Sequence, residues 1–227
     1  MQISTHKFHA VVTGDIVGSG RLSAERRERL HEVMGECYSV LCEAFPDNFA
    51  PSMDIFRGDS WQMFMRDPVR SLRSALFYRA LLRAEMESHD FDTRMAIGVG
   101  RVASVPEAHV SRGTGEAYRR SGQTLDSMGG DERLRVILPE EVDGRAVAAV
   151  VCLLDERSGL WTDRQALAIT GMLRGWTQKE TAERLWPGGI SQQGVSQHLD
   201  RAGWNAVSKG LEFVEEELEK IVESMEA

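Results

Sequence analysis

The sequence predicts a mixed α/β chain of the α+β kind: a small sheet domain of order βαββαβ followed by an all-helical C-terminal domain. Three observations predict it. Short β-branched or alternating apolar runs recur at 9–14, 53–57, 61–65 and 94–102, while longer segments with helical apolar spacing separate them. Beyond residue 160, capping patterns of short helices follow one another with no strand-like run between them.

The run 9–14 is apolar and β-branched enough for a buried strand, and Gly14-Asp15-Ile16-Val17-Gly18-Ser19-Gly20 sets a carboxylate at its end before a glycine-rich turn. Amides of such a turn can point at an anion. Ser23 is the expected N-cap of a helix of about six turns, with Leu30, Val33, Met34, Cys37, Leu41, Ala44 and Phe45 on one face and Pro46 ending it. Residues 53–57 and 61–65 flank Gly58-Asp59-Ser60 as a hairpin. Asp67 and Pro68 open a second helix that runs to about Ser88 and buries Leu72, Ala75, Leu76, Ala80 and Leu82. In 94–102, Met95, Ile97 and Val99 alternate with Ala96, Gly98 and Gly100, so one face packs and the other admits a second backbone or a ligand. A last strand is expected over 133–138. The stretch 146–154 is apolar all round and predicts a buried helix bridging the domains, with a boundary at 155–159.

Right-handed crossovers fold βαββαβ into a ferredoxin-like antiparallel sheet with both helices on one face. The exit of the first strand and the hairpin then share one end of the sheet, so Asp15 and Asp59 should meet. Two carboxylates about 4 Å apart repel by roughly 4 kcal/mol at an effective dielectric of 20, so the pair calls for a cation or a shared proton. A hard divalent ion with phosphate oxygens completing its shell fits best. Taken singly, Asp59 is also ordinary hairpin turn chemistry and Asp15 only the end of a strand.

The chain has 227 residues and a net charge of -8. Its distribution is uneven: residues 1–160 carry 20 Lys and Arg against 24 Asp and Glu, residues 161–210 carry 6 against 4, and residues 211–227 carry 1 against 7. The one positive segment is the one with a DNA-reading pattern. No apolar run approaches the roughly 20 residues of a membrane span, which predicts a cytoplasmic protein with no membrane partner. Cys37, Cys42 and Cys152 lack metal spacing and read as reduced core residues. His6, His9, His89, His109 and His198 have no ligand spacing.

Thr13-Gly14-Asp15-Ile16-Val17-Gly18, Arg57-Gly58-Asp59-Ser60, 94–100, and Gly115-Glu116-Ala117 with Leu125-Asp126 resemble, in order and spacing, the signature blocks of class III nucleotidyl cyclase domains, and among these SatD-type proteins. The resemblance covers residues 8–138. It implies a Mg2+ or Mn2+ site made by Asp15, Asp59 and the Ile16 carbonyl, a nucleoside triphosphate lying against Gly18, Ser19 and Gly20, and a homodimer that shares the site. It also implies transition-state contacts on the helix after Gly115, where the chain offers Arg119, Arg120 and Gln123. An arginine there stabilises developing phosphate charge; the other reading is solvated helix-face charges. Ile55 and the neighbourhood of Arg112 depart from the purine-selecting pattern, so no base is specified.

Thr162 with Gln165 and Thr177 with Glu180 are capping boxes that start helices over 162–174 and 177–185. Ser191 caps a third helix, with Val195, Leu199, Ala202 and Ala206 on its buried side and Gln192, Gln193, Ser196 and Gln197 outward. The pair resembles the helix-turn-helix of bacterial regulators. Glutamine suits bidentate recognition of adenine, and Lys179, Arg184, Arg201 and Lys209 suit phosphates. Trp186-Pro187-Gly188-Gly189 makes the turn longer than usual. A helical dimerisation or docking bundle is the alternative. Leu211, Val214, Leu218, Ile221 and Met225 form an a/d seam that pairs with its copy or docks on the protein, glutamates facing solvent.

The expected domains are a cyclase-like domain over 1–138, a helical linker over 139–160, a helix-turn-helix domain over 161–210 and an acidic helix over 211–227. The expected function is a DNA-binding transcriptional regulator with a metal- and nucleotide-binding sensor. The alternatives are an active nucleotidyl cyclase that forms a cyclic nucleotide from an NTP, and a scaffold with a degenerate site.

Overall fold

The computed structural model describes residues 4–226 apart from 22, 51, 57, 87–91 and 107–108. The elements are β1 (Phe8–Ile16), α1 (Ala24–Ala44), β2 (Asp54–Phe56), β3 (Ser60–Met65), α2 (Ser71–Met86), β4 (Thr93–Ser104), β5 (Thr114–Gly115), α3 (Glu116–Ser127), β6 (Leu134–Ile137), α4 (Arg145–Gly159), α5 (Asp163–Leu173), α6 (Gln178–Leu185), α7 (Gln192–Ala202) and α8 (Trp204–Glu226). The chain is mixed α/β. Arg57 of the second signature block, Ser88 and His89 lie outside the described residues.

The sheet runs β2-β3-β1-β4-β5, with β6 beside β4. β1 is antiparallel to both β3 and β4, whereas β6 is parallel to β4, so the sheet is mixed. Alternation along β1 divides its residues between two layers. Ala10, Val12 and Ile16 join Trp61, Met63, Met95, Ile97 and Val99 in the main core, which α1 and α2 complete with Leu30, Met34, Leu41, Leu72 and Leu76. Val11 and Phe64 pack on the other face with Ala117 and Tyr118 of α3.

The open face predicted for 94–102 is filled by the protein itself. A Cβ on Gly98 would lie 2.3 Å from the Ala117 carbonyl oxygen and 2.6 Å from the Ser121 amide, so glycine lets the α3 backbone touch β4. Beneath α3, Gln62 Nε2 donates to Thr13 Oγ1 at 2.6 Å, which donates to Ser121 Oγ at 2.9 Å.

Several expectations are corrected. Residues 68–70 form a turn in which Asp67 Oδ1 accepts the Val69 amide at 2.9 Å, and regular helix starts only at Ser71. α4 is not buried all round: Val147, Val151, Leu154 and Ser158 form its one buried stripe, and Leu153 is 70% exposed. It runs through 155–159 without a break. Cys37 is buried, but Cys42 is only half-buried and Cys152 is exposed. Ala206 is exposed and belongs to α8, because Gly203 (φ 75°) ends α7 in the left-handed conformation.

The seam of α8 docks within the chain. Val207, Leu211, Val214 and Leu218 are buried in the same core that holds β1, and Trp161, Ala166 and Ile169 join it from the start of the C-terminal helices. Two of the α8 glutamates do not face solvent freely: Glu215 takes the Arg73 Nε and Nη2 at 2.6 and 2.9 Å, and Glu226 Oε1 accepts the Phe8 amide at 2.6 Å. Deep in the molecule, Arg79 of α2 binds Asp92 at 2.8 and 2.7 Å and Asp155 of α4 at 2.7 Å, and Arg83 donates to the Gly159 and Trp161 carbonyls.

Candidate functional site

Asp15, next to the end of β1, stands opposite Ser60 on one side and opposite Arg94 on the other. Paired antiparallel positions put side chains on the same face, so the register alone places the Arg94 guanidinium beside the Asp15 carboxylate. Arg94 Nε donates to Oδ1 at 2.9 Å and Nη2 donates to Oδ2, a two-point ion pair at the rim of the sheet. The residue before Ser60 is Asp59, whose Oδ2 accepts a hydrogen bond from Ser19 Oγ in the glycine-rich turn. His31 of α1 approaches the Gly58 carbonyl, so the hairpin is held from the helix side as well.

The charge of a third carboxylate is felt here. The Asp15 hydrogen bonds hold the Arg94 guanidinium above its ordinary pKa against a burial that lowers it, and the charges of Asp15, Asp126 and Asp59 act in the same direction as those bonds. Asp126 comes from the last turn of α3. Of the three acids, Asp15 alone is in contact with the arginine, and Asp59 and Asp126 act on it by charge.

The turn that follows β1 is open. Gly18 has φ 75° and is exposed, Gly20 is exposed, and a Cβ on either would meet no atom within 4 Å. Its start is anchored by the Val17 amide, which donates to the Asp92 carbonyl at 2.9 Å, and by Thr93 Oγ1, which donates to the Asp15 carbonyl at 2.7 Å. The Ile16 side chain is buried in the core, leaving only its backbone for a ligand.

The three α3 candidates separate. Arg120 is buried and donates to the Val99 carbonyl at 2.9 Å and to Glu116 at 3.2 Å, so its charge is committed to the sheet. Arg119 and Gln123 are exposed and bonded to each other at 3.4 Å. They stand seven and three residues before Asp126, on the same helical stripe.

As for the donor set, carboxylates with a serine hydroxyl suit a hard divalent cation. Arg94 holds both oxygens of Asp15, so a cation on that carboxylate must either share it with the guanidinium or displace it.

In the C-terminal helices both capping boxes form: Thr162 with Gln165 and Thr177 with Glu180. Ser191 caps α7, whose Val195, Leu199 and Ala202 are buried. Gln192, Gln193, Gln197 and Arg201 are exposed, and Ser196 is half-buried. The long turn is tied back onto α7 by Trp186, which stacks on His198 with centroids 6.1 Å apart and planes 14° apart. Lys179 and Arg184 are exposed on α6, 3.9 Å from Glu183 and 3.8 Å from Glu180. Lys209 is exposed on α8. The far end of α7 is gripped by α4: Arg157 donates to the Ala202 and Arg201 carbonyls at 2.9 and 2.6 Å, and Trp161 Nε1 reaches Ala202 at 3.0 Å.

No model of a known protein family matches this chain, and no curated protein matches it. Sequence reasoning missed Arg94 and Asp126 at the rim, although both stand in the quoted blocks. The signal available was register: once β1 and β4 pair, Arg94 is the residue across from Asp15.

Proposed function

We propose that this chain is a DNA-binding transcriptional regulator whose sheet rim binds a nucleotide together with Mg2+ or Mn2+, acting as a homodimer. The strand order β2-β3-β1-β4 supports a ferredoxin-like, cyclase-type domain over 1–138, and α6 and α7 support a helix-turn-helix over 161–210. The observation that carries the DNA reading is α7 itself: it buries Val195, Leu199 and Ala202 and offers Gln192, Gln193 and Gln197 to solvent, with Arg201 at its far end. Amide side chains read adenine by two hydrogen bonds, and Lys179, Arg184, Arg201 and Lys209 would meet phosphates.

In the sensor, Arg94 leaves Asp15 for phosphate oxygens of the nucleotide, Asp15 and Asp59 hold the cation, and the turn 18–20 faces the phosphates. The commitment of Arg120 to Val99 and Glu116 favours sensing over turnover. The exposed stripe of Arg119, Gln123 and Asp126 is the observation in favour of a cyclase. A salt-titrated mobility-shift assay on genomic fragments tests the regulator. Gln193→Ala and Gln197→Ala should each weaken specific binding about 10-fold to 100-fold without changing the melting temperature. Unchanged affinity in both variants would reject α7 as the reading helix. Incubation with each of four NTPs and Mn2+, followed by detection of cyclic product, separates the cyclase from the sensor.

A further inference from the structure

Far from the rim, a cleft of about 570 Å3 opens where three segments meet: the chain after α1, the β3–α2 connection and the end of α5. Among the described residues, four arginines line it, Arg66, Arg70, Arg73 and Arg174, against two acids, Asp47 and Asp67. Guanidiniums repel one another, and a protein gathers them in one concavity at a cost unless acceptors are supplied. Among the described residues, Arg70, Arg73 and Arg174 have few acceptors. Arg70 and Arg73 share the single carboxylate of Glu215. Asp67 gives one oxygen to the Val69 amide, and Arg66 bonds to the Asp47 and Phe49 carbonyls at 3.0 and 2.7 Å. The negative ends of α1 and α5 lie at the same place and offset part of the charge.

Arg174 is the decisive side chain. Its guanidinium stacks over the rings of Phe77 and Trp176, with centroid distances of 4.8 and 4.3 Å. Its Nε is buried with no hydrogen-bond partner among the described residues. Burial, the largest cause, and the charge of Arg184 lower its pKa, while Glu43 acts in the opposite direction. Aromatic faces fix the plane of a guanidinium and leave its edge for a planar or tetrahedral anion.

The geometry points to this cleft as a binding site for a small dianionic ligand, a phosphate monoester or a dicarboxylate, held between the sheet layer and the C-terminal helices. Multiple acceptor oxygens on one small body match guanidiniums arriving from two sides, and paired N–H donors recognise both carboxylate and phosphate. Arg174 and the Arg70–Arg73 pair belong to different segments of the chain. A ligand that bridges them therefore strengthens the contact between the α/β layer and α5, and competes with Glu215 of α8 for its two partners. This site is separate from the rim and stands whether or not the rim binds nucleotide.

The test uses the full chain, freed of metal on a chelating resin and kept at constant ionic strength, with inorganic phosphate and succinate as probes and chloride as the control. Thermal unfolding and calorimetric titration should show saturable binding of at least one of the two, and which one binds distinguishes the phosphate source from the dicarboxylate source. Arg174→Gln should weaken that binding at least 10-fold, and Arg70→Gln, at an exposed side chain whose fold is checked by circular dichroism, should weaken it as well. Asp59→Ala should leave it intact. Stabilisation that merely tracks ionic strength, wild-type affinity in both arginine variants, or loss of binding in Asp59→Ala with retention in Arg174→Gln would each overturn the proposal.

Discussion

Arg79 and Asp92 form a two-point ion pair at 2.8 and 2.7 Å, with the arginine side chain only 1% exposed. Their neighbours make the pair a junction. Asp92 stands directly before β4, gives its carbonyl to Val17 after β1, and shares its carboxylate with Arg83; Arg79 reaches on to Asp155 and Ser158 of α4. The rim of the sheet and the helix that grips α7 thus meet at one buried charge cluster.

Removing one partner of such a cluster leaves a buried, uncompensated charge. Arg79→Met should destabilise the protein by about 3–5 kcal/mol, because Asp155 loses its cation and Asp92 is left with Arg83 alone. Urea unfolding followed by tryptophan fluorescence checks this.

The same cluster sets a pH dependence. Burial alone would raise the Asp92 carboxyl, but the Arg79 hydrogen bonds, the charges of Arg79 and Arg83, and the Thr93 amide together hold it below its ordinary 3.8. A carboxyl depressed on folding contributes stability that is complete above its unfolded value and is lost as pH falls through the folded one. Wild-type stability should therefore decline below about pH 4, and Asp92→Asn, though less stable at pH 7, should show a shallower decline. Equal acid slopes for the two proteins would contradict this.

At the rim, Arg94→Gln should have two opposite effects. Loss of the charged hydrogen bonds to Asp15 lowers stability by about 1–3 kcal/mol. Freeing the carboxylate should tighten Mn2+ binding in calorimetry, whereas Asp15→Ala should abolish it.

Gly98→Ala places a methyl group against the Ala117 carbonyl and the Ser121 amide, both backbone atoms of α3. Overpacking of about 1–3 kcal/mol is expected. Gly129→Ala has no neighbour nearer than 3.8 Å and serves as the control.

Much of the architecture was legible because periodicity reports it directly. The apolar alternation of 94–102 and the helical spacing of α1 correspond to observed elements, and both threonine capping boxes stand where their hydroxyl and acceptor spacing put them. The errors arose where composition cannot report packing. The stretch 146–154 is apolar, yet only the Val147, Val151 and Leu154 stripe of α4 finds a partner. Arg120 and Arg119 are identical in type and adjacent in sequence, but a helix turns successive residues by about 100°, so one lies under the sheet edge and the other in solvent. Arg94 escaped notice because its role comes from cross-strand pairing, which is a long-range fact.

The bond between Glu226 and the Phe8 amide spans 218 positions of sequence. During synthesis the first strand exists long before the helix that holds its beginning, so the nascent sheet waits with that amide and the hydrophobic ground under α8 uncovered. Contacts of such long range slow folding. A ribosome-bound chain arrested before residue 204 would thus expose a greasy flank that binds chaperones, and release of the last helix should end that exposure.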